Sequence, residues 1–523
     1  MAEITICKLN NSFGYLLTDN LSLFKELHEA LSFWVPGYQF MPQYKSGWFD
    51  GKIRLMDFNT RQFPLGLAEH IYEYCKSRNI PCDVENAVLE CFIPSGNAEE
   101  ILDFISSKRV FSKMQEITPT EYQLEAVVRA IQRKRCVNIC PTSFGKSLAI
   151  TLECIYWINS GKKCLIVVPT KDLVDQFASD IRDYATNEQG RLEEWFPTIQ
   201  KIYSGKKKQL DVTTDICIST WQSLAKIEDA EEYMNQFDVI VLDEAHKGSA
   251  RVLTKLMNAA TSVSIRTGWT GTLSDETIGE LQVKGSFGPI KQIVTTKELM
   301  DKGIVAQLSI AIARIVYPPE LAQELISLDY NKQTSYLETL SRRTKVLLQV
   351  VATQKKTGLM LYRHISHGEA IFEKARALFP DRNVYLVHGG HFQMNDKKFK
   401  TFEDMKNLIE REENGIIIAN YQVIGTGISI KNLHWMMFAA PTKSFITTVQ
   451  GIGRILRVSK VKHKALLIDI VDDFSAKKAG DRKITQNYAV RHFAERFNIY
   501  NESQFDYKII NLDLYPKDQM FMG

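Results

Sequence analysis

Short, uninterrupted apolar runs alternate along most of this chain with amphipathic segments of helical period. From about residue 113 to 300 the runs are Cys136–Cys140, Cys164–Val168 and Val239–Leu242. After a link near Asp301–Gly303 they resume as Gly358–Tyr362, Val384–Val387, Gly415–Ala419 and Ala465–Ile468. A strand that is apolar at every position has no solvated face, so the pattern predicts parallel sheets covered by helices on both sides. Residues 1–112 differ in texture, with short alternating runs, many aromatics and a helix-like segment, Ala98–Phe104. The stretch from about 476 is polar and then helix-like from Tyr488 to Phe497. The expected fold class is therefore α/β, with two tandem parallel-sheet units over 113–300 and 301–475. A small α/β N-terminal domain over 1–112 and a helical C-terminal extension over 476–523 complete it.

Composition narrows the class little. A hydrophobic share of 45% and a charged share of 24% are those of a globular protein, which removes disorder as the default. The net charge of +4 does not announce nucleic acid, although a basic groove can sit on a nearly neutral chain. The start, Met1–Thr5, lacks a basic region followed by an apolar core, and no apolar stretch nears the ~20 residues of a membrane span. All nine cysteines lie between Cys7 and Cys217 without a C-x-x-C pair, which fits reduced thiols and a cytoplasmic location. His364/His367 and His388/His391 are isolated H-x-x-H pairs, read as surface or groove histidines rather than metal ligands.

The chemistry begins at Pro141-Thr142-Ser143-Phe144-Gly145-Lys146-Ser147, which follows one apolar run and opens the segment Leu148–Leu152. Strand, loop and helix in that order aim backbone N–H groups and a helix N-terminus at an anion. Lys146 would reach the β- and γ-phosphates of ATP, and Ser147 would offer its hydroxyl to Mg²⁺. Cys140 stands where the phosphate-loop pattern has its first glycine, which predicts that alkylating reagents inhibit the ATPase through that thiol. About a hundred residues on, Val239–Leu242 runs into Asp243-Glu244-Ala245-His246. A buried parallel strand ending in two acids sets both carboxylates at the carboxyl edge of the sheet, where open α/β folds bind ligands. Asp243 would hold Mg²⁺, and Glu244 would orient and deprotonate the attacking water.

Asp-Glu-Ala-His after a phosphate loop resembles the DEAH variant of the superfamily 2 helicases, whose motors are two RecA-like domains. The resemblance implies roles for other segments, in chain order. Gln123, in Pro119–Gln123, would read adenine. Thr170 and Lys171, and Thr220, Trp221 and Gln222, would touch the nucleic-acid backbone. Thr270-Gly271-Thr272, with His246, would couple hydrolysis to strand movement. His364 stands in the fourth motif, Gly389 allows close approach of a strand, and Thr426 would contact a phosphate, with Ser429 where many members carry Asp. Gln450, Arg454 and Arg457 match the sixth motif. Two arginines three apart on a helix share a face, and both would act on the γ-phosphate.

Met41–Asp57 alternates basic and aromatic residues around Asp50-Gly51, and with Arg61–Leu67 it resembles the amino-terminal module of the UvsW family, recombination helicases of tailed phages. Thr295–Met300, His364–Gly368 and Thr426–His434 extend the likeness. It implies an ATP-dependent, monomeric helicase or translocase on branched or forked DNA, migrating junctions, regressing forks and removing R-loops, with RNA–DNA hybrids a further candidate and, for a phage protein, the host cytoplasm as its place. A duplex translocase, an RNA helicase and an ATPase-dead annealing protein are the alternatives. Lys52 and Arg54 would neutralise phosphates while Trp48 stacks on bases; the competing reading is a β-hairpin with core aromatics and solvated charges.

Overall fold

The computed structural model describes residues 3–515 except 36, 142, 204–208, 245–249, 272–276, 423–429, 431, 443–450, 454, 457–463 and 479–482. The chain divides into two compact units, Met1–Val294 and Thr295–Gly523.

In the first unit a seven-stranded sheet has the order Ile199–Ile202, Ile216–Thr220, Cys164–Val168, Val239–Asp243, Ile265–Thr270, Arg135–Ile139, Ile290–Gln292. Every pairing in it is parallel. Cys164–Val168 and Ile216–Thr220 are buried at every position, as continuous apolar strands between two helical layers must be. Two of its helices start on side-chain caps. Thr120 forms a capping box with Gln123 ahead of Glu121–Arg133, and Thr170 accepts from the Leu173 N–H ahead of Lys171–Ala185.

A smaller four-stranded sheet, in the order Gln62–Pro64, Phe13–Leu17, Ile4–Lys8, Cys82–Val84, belongs to the same unit. Its core of Ile6, Leu16, Phe24, Phe63, Leu67 and Ile71 also takes in Leu281 from the helix Thr277–Phe287. Two buried guanidinium groups bind across this junction. Arg266 donates to Ser12 Oγ at 3.0 Å and to the Met257 and Val263 carbonyls at 3.0 Å each. Arg135 donates to the Asn11 carbonyl at 2.8 Å and to that of Ser286 at 3.2 Å.

The β-hairpin of the competing reading is not formed around Asp50-Gly51. Lys52–Arg54 instead pairs antiparallel with the distant Ser32–Trp34, and the intervening loop carries the short helix Pro42–Lys45. The apolar side of Phe33 is buried by this pairing, which outweighs the local turn preference of Asp-Gly.

The second unit holds a nine-stranded sheet: Lys397–Phe399, His391–Met394, Val384–His388, Ile416–Asn420, Gly358–Tyr362, Trp435–Phe438, Lys464–Asp473, Gln307–Val316, Asp506–Asp513. The first two strands are antiparallel additions and the rest pair in parallel. Gln307–Val316 lies between Lys464–Asp473 and the C-terminal strand Asp506–Asp513, so the extension contributes a strand as well as the expected helix, Tyr488–Glu502. Asp506–Asp513 is exposed along nearly all its length and lacks the buried periodicity that marked the other strands. Two buried ion pairs brace this unit. Arg343 binds Asp472 at 2.7 and 2.8 Å, and Arg496 binds Asp469 at 2.9 and 2.7 Å. No described helix is long and apolar enough to cross a membrane.

Candidate nucleotide and nucleic-acid site

The strand Arg135–Ile139 ends at a loop whose last residue, Gly145, has φ +85°, a conformation that costs a side chain with a Cβ ~1–2 kcal/mol. The helix Lys146–Asn159 starts directly after it. The loop is tied from two sides: the Cys140 N–H donates to the Thr270 carbonyl at 2.8 Å, and Gln123 Nε2 donates to the Phe144 carbonyl at 2.9 Å. Gln123 Oε1 meanwhile accepts from the Thr120 N–H at 2.8 Å. The amide expected to read adenine is thus used by the chain itself, to cap a helix and hold the loop. A Cβ on Gly145 would lie 2.5 Å from Gln123 Nε2, so the glycine also serves this close approach.

Two strands away, Val239–Asp243 delivers the acids to the same sheet edge. Glu244 has φ +54°, a strained backbone for a residue with a side chain, and its N–H donates to Asp243 Oδ1 at 2.9 Å. The Lys146 ammonium, nearly buried, lies 3.9 Å from Glu244 Oε1 and 3.4 Å from the Cys140 carbonyl. Ser147 Oγ is 2.7 Å from the Tyr184 hydroxyl. Lys146, Ser147, Asp243 and Glu244 therefore share one edge, with Ser143 and Phe144 in the loop beside them. Ser147 and Asp243 offer the hard oxygen donors that suit Mg²⁺.

Cys140 corrects an expectation. It is fully buried, and that burial pushes its thiol up to about 12, so it is neither accessible nor ionised for alkylation. The sequence reading also passed over Glu153. This fully buried carboxyl, on the helix that follows the phosphate loop, accepts from Thr267 Oγ1 at 2.7 Å and Trp269 Nε1 at 3.0 Å. Both partners lie on the strand that ends at Thr270, and burial raises the acid to about 7. A lone charge among Leu148, Ala149, Ile150, Leu152, Cys154 and Ile155 was the available signal.

The expected strand contacts divide. Lys171 and Gln222 are exposed at the carboxyl edge of neighbouring strands, Cys164–Val168 and Ile216–Thr220, and Thr170 is half-buried there. Thr220 caps a short helix through the Ser223 N–H at 3.3 Å. Trp221 is a correction: it lies in the hydrophobic core with Leu224, Tyr233 and Met234, because the turn after the strand points it inward. In the second unit, exposed His364 follows the strand Gly358–Tyr362, with Nδ1 2.6 Å from Glu338 Oε2, and exposed Gly389 follows Val384–His388. Thr142, His246, Thr272, Thr426, Ser429, Gln450, Arg454 and Arg457 lie outside the described residues.

On the amino-terminal module, Trp48 is 87% exposed and so is no core residue. Lys52 forms an ion pair with Glu29 and lies 4.7 Å over the Trp34 ring; Arg54 pairs with Asp50 at 2.6 Å. Both cations already have carboxylate partners, which a phosphate would have to displace.

Comparison with known proteins adds two family matches: residues 4–84 match the model described as DNA helicase UvsW, N-terminal, and residues 116–275 match that of Type III restriction enzyme, res subunit. The chain is 31% identical over 503 residues to the ATP-dependent DNA helicase uvsW of Enterobacteria phage T4, covering 94% of this chain and 96% of that one. The crystal structure of T4 UvsW aligns at TM-score 0.51 and 29% identity, over 98% of this chain and 100% of that one. A DNA-bound Type ISP restriction-modification enzyme, LlaBIII, shares the fold at TM-score 0.54 and 14% identity, over 76% of this chain and 32% of that one.

Proposed function

The chain belongs to the UvsW family of superfamily 2 helicases, and from that premise we propose that it is an ATP-dependent DNA helicase whose substrate is branched or forked DNA. The observation that carries the ATPase half is the approach of the Lys146 ammonium to the Glu244 carboxylate, 3.9 Å, at the edge that also bears Ser147 and Asp243. A γ-phosphate entering between them would take the ammonium as its counter-charge. The carboxylate it displaces would then be free to orient a water and accept its proton. Ser147 and Asp243 would hold Mg²⁺, which supplies charge neutralisation to the phosphates when bound.

We assign residues 1–112 to substrate binding, 113–300 and 301–475 to the two motor domains and 476–523 to a bracing extension. Lys171, Thr170 and Gln222 on the first motor, and His364 and Gly389 on the second, would follow the backbone of one strand. Thr270 would report hydrolysis through its carbonyl bond to the phosphate loop. Branched DNA is supported by the UvsW-type amino-terminal module and by its exposed Trp48, which suits an unpaired base better than a phosphate.

The deciding experiment compares ATP hydrolysis by the wild type and Glu244→Gln without nucleic acid, and with single-stranded DNA, RNA, linear duplex or a four-way junction. The expected outcome is strong stimulation by the junction and a loss of at least a hundredfold in the variant. Equal stimulation by RNA and junction would remove the branched-DNA reading. No hydrolysis on any substrate would remove the motor.

A further inference from the structure

Two hydroxyls near the start of the helix Lys146–Asn159 are used differently. Thr151 Oγ1 donates to the Ser147 carbonyl at 2.7 Å, a bond inside its own helix. Ser147 Oγ instead reaches off the helix, to the hydroxyl of Tyr184 at 2.7 Å. Tyr184 lies in the last turn of the helix Lys171–Ala185, which packs against Lys146–Asn159. The buried positions of that helix are Val174, Phe177, Ile181 and Ala185. Tyr184, three residues after Ile181, shares their face, so the packing that seats the helix also aims the half-buried phenol.

The bond matters because of what Ser147 has to offer. A serine hydroxyl carries one hydrogen and two lone pairs, and a cation can take only lone pairs. The hydrogen then needs an acceptor, and it becomes a stronger donor as the oxygen gives electron density to the metal. Tyr184 Oη stands at hydrogen-bond distance to be that acceptor. Without it, Ser147 would be free to turn among its staggered rotamers.

We infer that Tyr184 is a positioning residue for the cation of the ATPase site: its phenolic oxygen accepts the Ser147 hydrogen and turns the Ser147 lone pairs toward the metal. This role rests on the assignment of Ser147 to Mg²⁺ made above and adds the group that orients the ligand. Outer partners of metal ligands are worth ~10–100-fold in metal affinity. A bond that only tied the two helices together would contribute to stability and leave that affinity alone.

Binding of Mn²⁺, standing in for Mg²⁺, tests this without turnover. The full chain with ADP is titrated and free Mn²⁺ is followed by electron paramagnetic resonance, in wild type, Tyr184→Phe, Ser147→Ala and the double variant. Tyr184→Phe removes one oxygen and keeps the ring. It should weaken Mn²⁺ ~10–100-fold and leave ADP affinity in EDTA within about twofold. The Mg²⁺ concentration giving half the maximal ATPase rate should rise by the same factor, while kcat at saturating Mg²⁺ changes less than about threefold. On the Ser147→Ala background, Tyr184→Phe should have no further effect, because its route to the metal is the serine. Wild-type Mn²⁺ affinity in Tyr184→Phe beside a weakened Ser147→Ala would make the bond a helix tie and overturn the inference with the cation site intact. Additive losses in the double variant would overturn it too. Unchanged Mn²⁺ affinity in Ser147→Ala would remove Ser147 from the cation site, and the role of Tyr184 with it.

Discussion

Glu153 shows how one side chain can link the phosphate loop to the rest of the sheet. Its carboxyl is fully buried and accepts two hydrogen bonds but has no cation, so desolvation dominates and raises it from 4.5 to about 7. An acid whose folded pKa is raised binds its proton more tightly in the native state. Its contribution is therefore intact below about 4.5 and is lost as pH rises through about 7. The whole span is worth about 3 kcal/mol. Glu153→Gln keeps the shape, can still accept from Trp269 and can donate to Thr267 Oγ1, but cannot ionise. The variant should melt above the wild type at pH 8.5 and by a clearly smaller margin at pH 5.5; parallel shifts in both proteins would clear Glu153 of this role. The neighbouring Cys140 makes the opposite kind of prediction. Under native conditions iodoacetamide should modify part-exposed Cys91 while leaving buried Cys140 unlabelled and the ATPase intact. Peptide mass spectrometry reads this directly, and early labelling of Cys140 would mean that the loop opens.

Elements differ in how openly the sequence announces them. Cys164–Val168 and Gly358–Tyr362 have the predicted bounds because five apolar residues in a row leave only a doubly covered strand. The places of Lys146, Asp243 and Glu244 at the carboxyl edge were legible for the same reason, since each ends or follows such a strand. Trp221 was not, because a residue that follows a strand can turn inward as easily as out, and only packing decides. The segment around Trp48 was half legible: its aromatics show, but whether they pair, pack or project depends on Ser32–Trp34, which lies far back in the sequence. The outcome can be measured at two tryptophans. Trp34 stacks on Tyr38 at 4.7 Å and carries Lys52 over its ring, whereas Trp48 is almost free of the fold. Trp48→Ala should leave the unfolding free energy within ~0.5 kcal/mol of wild type. It should still weaken binding to a forked DNA by ~1–3 kcal/mol, the worth of one stacked base. Trp34→Ala should cost ~1 kcal/mol of stability as well. Chemical denaturation and fluorescence anisotropy on the same samples give both numbers, and unchanged anisotropy with Trp48→Ala would remove the stacking role.

At the scale of the first unit, the small sheet and the large one are held together by contacts that no periodicity encodes. Arg266 and Arg135 are paired neighbours in the large sheet and reach Ser12 and Asn11 of the small module, with carbonyls rather than carboxylates as their other acceptors. Burial lowers both guanidinium groups from their usual range, Arg135 to about 10, a sign that this junction excludes water. Gly66 sets how closely the two parts approach. A Cβ there would fall 2.2 Å from the Lys284 carbonyl and 2.7 Å from that of Gly285, both backbone atoms of the helix Thr277–Phe287, which cannot swing aside as a side chain would. Its φ is not positive, so alanine suits the local backbone, and the whole penalty lies across the junction. Gly66→Ala should therefore cost ~1–3 kcal/mol, the usual range for overpacking, by loosening the amino-terminal module while the seven-stranded sheet remains folded. Hydrogen exchange resolved by peptide would show faster exchange at 9–14 and 281–288 and none at 164–168. Uniform acceleration across the unit would mean that the module and the large sheet unfold as one, and that the junction is part of a single core rather than a docking surface.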